Sequence, residues 1–303
     1  MLTIGDKKYC GFNALCALPK NPYEKAVDMH VGMLTAPFGS ESLETVAKFA
    51  GEAGFVSLEV VAGPGSNHID PAKFDDAEKA RIQKILDDNG LEISSLCHYG
   101  NVNEPGQSDD IIAHFKKTID ASVALGVDVV CGLAGHPVEG KSKAETITEI
   151  VPIVYKPVCQ YAADKGVKIA LENWFATCIQ HLGLFDLLFE TISDENFGLN
   201  FDPSHLIWQG IDYLEAVDVY ADRIFHTHAK DTEMKQHVLR KIGCLEGWWR
   251  YVIPGYGDID WGVYVERLRG IGYDGVLSIE HEDGSQDREE GFVRGLRYLN
   301  QFV

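Results

Sequence analysis

Acidic and imidazole side chains recur in this sequence at one kind of place, the end of a short β-rich run. ALENW carries Glu172, NFDPSH carries Asp202 and His205, HTHAKD carries His226, His228 and Lys230, and SIEHED carries Glu280 and Glu282. Successive side chains on a strand point to opposite faces, so Lys168, Ala170, Glu172 and Trp174 share one face and Ile169 and Leu171 the other. The same count sets Asn200 and Asp202 against Leu199 and Phe201, and Ser278, Glu280 and Glu282 against Leu277 and Ile279. His226, His228 and Lys230 fall on one face of their run. If the four runs lie side by side, Glu172, Asp202, His228 and Glu280 converge. Three carboxylates held together repel one another unless a cation compensates them. Three oxygens and one imidazole suit a hard to borderline divalent ion, with open positions left for the hydroxyl and carbonyl oxygens of a substrate. One ion is expected, Mn²⁺ first, with Mg²⁺, Co²⁺ or Zn²⁺ tolerable. No cysteine stands beside the four positions, which argues against a structural zinc site.

The elements that would position these groups repeat along the chain. Strands are expected near 30–36, 55–62, 92–99, 128–135, 168–174, 197–202, 223–231 and 275–282, which makes eight. Helical periodicity fills the spaces between, as at 42–54, 75–90, 109–126, 145–166 and 260–272. Several helices close on glycine, at Gly54, Gly90, Gly126, Gly166 and Gly272. Eight β/α units without a Gly/Pro/Ser-rich linker predict one α/β domain, a (β/α)₈ TIM barrel over 30–303, in preference to an open doubly wound sheet. Residues 1–29 form an N-terminal extension. The long connection 232–259 after strand seven, with Trp248-Trp249-Arg250-Tyr251, is placed either to cap the site or to pack between subunits. Barrel active sites lie at the C-terminal ends of the strands, where the four groups stand.

Composition narrows the partners. Twenty-seven Lys and Arg against 46 Asp and Glu give a formal charge of −19 over 303 residues. So acidic a surface opposes nucleic acid. The opening residues lack an apolar core behind a basic segment, and no run of 18 apolar residues occurs, so neither secretion nor membrane insertion is expected. Seven scattered cysteines without a CxxC pair read as reduced thiols in a cytoplasm. Aromatic loops and the N-terminal extension favour a homo-oligomer, a dimer or tetramer.

The segments ALENW, NFDPSH, HTHAKD, PGYGDIDW and GYDGVLSIEHED resemble those of the xylose-isomerase-like TIM barrels, which include sugar phosphate isomerases/epimerases, ketose 3-epimerases and inosose-processing enzymes. In that family the glutamate of strand five, the aspartate of strand six, the second histidine of strand seven and the glutamate of strand eight bind one divalent metal. The resemblance carries these roles to Glu172, Asp202, His228 and Glu280, and a substrate contact to His205. It implies enolisation of a keto-sugar through a cis-enediolate, with Glu172 and Glu280 as the proton-transferring pair. Return of the proton on the opposite face is epimerisation, and return to the next carbon is isomerisation. Loss of a β-hydroxyl is dehydration, so the alternative is a lyase/dehydratase acting on an inosose or 3-keto-glycoside with the same metal. The DNA-cutting AP endonuclease branch of the fold needs an Asp-x-His pair after the strand-seven histidine, where this chain has only Asp231-Thr232-Glu233. A non-catalytic sugar-binding barrel is the remaining class.

Other residues carry two readings each. His98, His136, Lys230 and Trp174 are substrate-contact candidates, against structural hydrogen bonding for the histidines, a local ion pair for Lys230 and rim packing for Trp174. His226, one pleat deeper than His228, reads as a packed residue behind the ligands. His68 reads as a solvated loop residue, Asp231 as structural, and Asp260 as the cap of the following helix. Gly255-Tyr256-Gly257 fits no phosphate loop, Arg250 alone is poor evidence for a phosphate, and no nucleotide cofactor is expected.

Overall fold

The computed structural model describes residues 29–303, so the 1–29 extension, apart from Met29, lies outside the described residues. Its first half comprises β1 (His30–Leu34), α1 (Leu43–Ala53), β2 (Ser57–Val61), α2 (Asp76–Asn89), β3 (Glu92–His98), α3 (Ser108–Leu125), β4 (Val129–Leu133), α4 (Lys143–Glu149) and α5 (Val151–Ala163). The second half runs β5 (Lys168–Glu172), α6 (Leu182–Thr191), β6 (Phe197–Phe201), α7 (Ser204–Ile207), α8 (Tyr213–Val219), β7 (Ile224–Ala229), β8 (Asp231–Met234), α9 (Gln236–Ile242), β9 (Trp249–Val252), α10 (Trp261–Gly270), β10 (Val276–Ile279) and α11 (Arg288–Leu299). Eight parallel strands close in the order β1-β10-β7-β6-β5-β4-β3-β2, and β1 pairs with β2 to seal the ring. The chain is a single-domain (β/α)₈ barrel.

Local chemistry explains the element boundaries. Helix α1 buries Leu43, Val46, Ala47 and Ala50, an i, i+3, i+4, i+7 stripe that can only face the sheet. Ser42 caps it by accepting from the Thr45 amide, Asp75 does the same for α2, and Ser142 with Glu145 forms a reciprocal capping box on α4. Gly54, Gly90 and Gly126 occupy the left-handed C-terminal caps that return the chain to the sheet. The single helix expected over 145–166 divides at Ile150, because Pro152 in the first turn of α5 has no amide to donate backwards. Gly166, φ +71°, lies two residues beyond the cap of α5, at Asp164.

The main apolar core fills the layer between strands and helices, and a small second cluster of Leu34, Cys97, Val129, Cys131 and Ala170 lies inside the ring. One irregularity reverses a face. Between Leu58 and Glu59 the β3 partner jumps from Ile93 to Ser95, leaving Ser94 as an extra residue. Beyond this bulge the alternation inverts: Cys97 and Tyr99 turn inward, while Leu96 and His98 turn towards the helices. His98, a substrate-contact candidate from the sequence, instead packs its ring edge-on against His114 of α3 at 4.4 Å. Burial without a compensating anion pushes its pKa down to about 4, with the neighbouring His114 charge adding to the effect.

The 232–259 connection is an antiparallel hairpin of β8 and β9 around α9, with Thr232 opposite Tyr251 and Met234 opposite Trp249. Asp231 anchors it. Its buried carboxylate accepts from the amides of Thr232, Gly255, Gly257 and Ile259 and from the Trp261 indole N–H. A side chain at Gly257 would place Cβ 2.2 Å from Asp231 Oδ1, so PGYGDIDW winds around this carboxylate. Asp260 caps α10 through the Val263 amide. Arg250 pairs with Glu233 at 2.5 Å and Asp283 at 3.0 Å. His68 is buried, its Nε2 3.2 Å from the Phe38 carbonyl, and is not a solvated loop residue. Among the described residues no helix is long and apolar enough to cross a membrane.

Asp231→Ala strands four amides and an indole N–H, and a denaturant titration is expected to show a loss of about 3 kcal/mol or more. A change inside the fitting error would contradict this account of the loop.

Candidate metal centre

The ends of β5, β6, β7 and β10 bring one atom each of Glu172, Asp202, His228 and Glu280 within 4.8 Å of one another. Three of the four side chains are buried and Glu280 is half-buried. Each is oriented by neighbours. Asn173 takes the Asp202 amide on its oxygen at 2.8 Å and donates to the Asp202 carbonyl at 2.9 Å, tying the β5 and β6 ends together. The Ser204 amide donates to Asp202 Oδ1 at 2.8 Å, whereas Oδ2 accepts no well-formed hydrogen bond and has only ion-pair contacts, with His205 and Lys230 at 3.4 Å each. His228 presents Nε2 to Glu59 Oε2 at 3.1 Å, and its buried Nδ1, also without a hydrogen-bond partner, lies 3.1 Å from Glu280 and 3.4 Å from Glu172. Buried polar atoms are rarely left unmatched, and a carboxylate oxygen and an imidazole nitrogen turned towards two further carboxylates make a donor set for a divalent cation. The residues fit a divalent cation. Ligation needs Nδ1 free of its proton, and an Nε2–H donated to Glu59 leaves that tautomer.

Glu59 lies behind the ligands in β2 and was not among the residues singled out from the sequence. Its signal was a carboxylate between Leu58 and Val60 in an otherwise apolar run. Its oxygens also accept from Ser278 Oγ at 2.7 Å and from the Tyr99 hydroxyl. Burial works to raise the Glu59 pKa, but the charges of His228 and His226 and the hydrogen bonds of His228 and Tyr99 hold it down to about 2. His226 sits deeper, with Nδ1 2.9 Å from Asn200 Oδ1 and Nε2 3.2 Å from Ser94 Oγ, and burial lowers its pKa to about 4. Glu59, Cys131 and His226 also gather within 4.8 Å. There the Glu59 oxygens already have donors, so we read this group as the hydrogen-bonded floor of the upper site.

Of the substrate-contact candidates, two reach the quartet. His205 Nε2 is 3.0 Å from Glu172 Oε1 and 3.4 Å from Asp202 Oδ2, with Nδ1 2.6 Å from the Tyr251 hydroxyl. Lys230 is buried and ion-paired with the acids around it, Glu280 at 2.6 Å nearest. Burial opposes its charge, but Glu280, Asp202, Glu282 and Glu172 raise its pKa well above normal. Trp174 and His136 stand together farther out, ring centroids 5.5 Å apart, with His136 Nδ1 3.2 Å from the Ala176 carbonyl. The bulge places Tyr99 inward and leaves His98 on the helix side. Tyr251 belongs to an aromatic wall in which Trp249 stacks on Trp208 at 4.5 Å and Phe175 abuts Trp208 at 5.1 Å. Nothing local in the sequence reveals that β9 folds back to place Tyr251 against His205.

Glu59→Gln removes the carboxylate that fixes the His228 tautomer, and calorimetric titration with Mn²⁺ is expected to show affinity weakened about 10-fold to 100-fold. Unchanged affinity would remove Glu59 from the metal-binding account.

Comparisons with known proteins identify relatives of the whole barrel. The uncharacterized protein YfiH of Bacillus subtilis is 26% identical, covering 91% of this chain and 99% of its own. An inosose dehydratase of Histophilus somni is 25% identical over 73% of this chain and 80% of its own. A solved structure described as IOLI protein with a binding zinc atom superposes with a TM-score of 0.70 at 21% identity, covering 91% of this chain and 99% of that one. Residues 47–302 match the family model described as xylose isomerase-like TIM barrel, and the chain belongs to that family.

Proposed function

We propose that this protein is a metal-dependent enzyme that enolises a cyclitol ketone or keto-sugar and then expels a β-hydroxyl as water. The observation that carries the reading is the buried quartet, in which Asp202 Oδ2 and His228 Nδ1 have charged neighbours but no well-formed hydrogen bond, flanked by His205, an imidazole outside the ligand set. A divalent ion, when held by Glu172, Asp202, His228 and Glu280, supplies Lewis acidity to a carbonyl and its adjacent hydroxyl. Glu172 or Glu280 then takes the proton from the carbon beside the carbonyl. The freed electron pair forms the enol double bond and next expels the β-oxygen, to which His205 delivers a proton. Tyr251, 2.6 Å from His205 Nδ1, holds the ring for that transfer.

The sequence put isomerisation or epimerisation between the two glutamates first and dehydration second. We reverse that order, because an inosose dehydratase is among the relatives and because a proton donor distinct from both glutamates suits a departing hydroxyl. Mn²⁺ keeps its place as the expected ion, with Zn²⁺ beside it in view of the zinc in the related barrel. His136 and Trp174 are proposed as outer contacts for the substrate ring. His98, on the helix side, is withdrawn as a contact. We further read the protein as cytoplasmic and self-associating as a dimer or tetramer.

The test is a panel of inososes and keto-sugars with Mn²⁺ in D₂O, followed by NMR and ultraviolet absorbance. A cyclitol ketone is expected to lose water to a diketone, with turnover abolished by chelator and lowered about 100-fold or more in Glu172→Gln and Glu280→Gln. Deuterium incorporation with inversion and no loss of water would restore the epimerase reading.

A further inference from the structure

Lys230 follows the end of β7, two residues after His228, and only 1% of its surface is exposed. Its ammonium is 2.6 Å from Glu280 Oε2, 3.4 Å from Asp202 Oδ2 and 3.9 Å from Glu172 Oε1, all three belonging to the quartet. A fourth carboxylate, Glu282, lies 3.1 Å away and is outside the quartet, its side chain 47% exposed. The Tyr251 ring, centroid 4.6 Å from Nζ, closes another side. Burying so many carboxylates without a cation would be prohibitive, and Lys230 supplies one. The same position makes it a rival. A dication bound by the Glu280 and Asp202 oxygens would share them with an ammonium a few ångströms away in a weakly screened site. Outside the quartet two groups are already within reach, His205 Nε2 at 3.4 Å and the Glu282 carboxylate at 3.1 Å, and of these only Glu282 carries a negative charge to receive the ammonium.

We propose that Lys230 is a built-in counter-cation of the quartet, drawn from Glu280 onto Glu282 when a divalent ion is taken up, so that Glu282 sets metal affinity without ligating. The proposal rests on the quartet's being a metal site and adds what governs its loading. A purely structural ion pair predicts something different: losing Lys230 would then let the quartet splay and would weaken metal binding or leave it unchanged. Additive long-range electrostatics differs too, because Glu282 would then matter equally with and without Lys230.

The experiment is a double-mutant cycle of Mn²⁺ affinity by calorimetry on the full chain, with Lys230→Met, Glu282→Gln and the double variant, each checked for native circular dichroism. Lys230→Met is expected to tighten Mn²⁺ binding about tenfold or more, and Glu282→Gln to weaken it roughly fivefold. In the Lys230→Met background Glu282→Gln is expected to change affinity by less than about twofold. Unchanged or weaker binding in Lys230→Met, no effect of Glu282→Gln, or an equal effect in both backgrounds would each overturn the proposal. If Lys230→Met misfolds, Lys230→Gln carries the same expectation and completes the cycle with Glu282→Gln. Failure of the unmodified protein to bind Mn²⁺ would instead refute the quartet as a metal site.

Discussion

Negative charge confined at one end of a barrel is the constraint on which the rest of this structure depends. Glu172, Asp202 and Glu280, with Glu59 buried beneath, crowd a small volume from which water is largely excluded, and the partly exposed Glu282 adds a fifth carboxylate at its rim. Isolated carboxylates in such surroundings would take up protons. Here burial raises the Glu172 pKa, yet the His228 charge, the His205 hydrogen bond and Lys230 hold it well below normal. The charge is retained because cationic groups are packed around it. The geometry expected of a divalent-metal site follows from that balance, with Asn173 and the Ser204 amide fixing the carboxylate that would otherwise turn away.

The barrel makes this arrangement possible at modest cost. Strand ends from four different β/α units meet without any one segment having to bend, and the helices around them bury the apolar faces that hold the ring. The hairpin of β8 and β9 adds what the barrel alone lacks, an aromatic wall and a hydroxyl against His205. Asp231 orders the far end of that connection, linking the stability of the loop to the placement of the site.

Eight strands, most helix limits and the meeting of Glu172, Asp202, His228 and Glu280 were legible in the sequence because alternation along β5, β6 and β10 is uninterrupted. Strand β3 was not legible in the same way. One extra residue at Ser94 inverts everything after it, moving His98 outward and Tyr99 inward, and a bulge of this kind leaves no mark in residue types. Glu59 was visible as an anomaly in an apolar run, but its link to His228, across the barrel from it, is a fact of ring closure. Tyr251 depended on long-range hairpin register, and the division of α4 from α5 on a proline that periodicity alone passes over.

The most direct test of the central claim is anomalous diffraction from crystals soaked in Mn²⁺. The account predicts one strong peak bonded to Glu172, Asp202, His228 Nδ1 and Glu280 at about 2.0–2.3 Å, with Glu59 still on Nε2. A peak elsewhere, or no peak with the four side chains left in place, would contradict it.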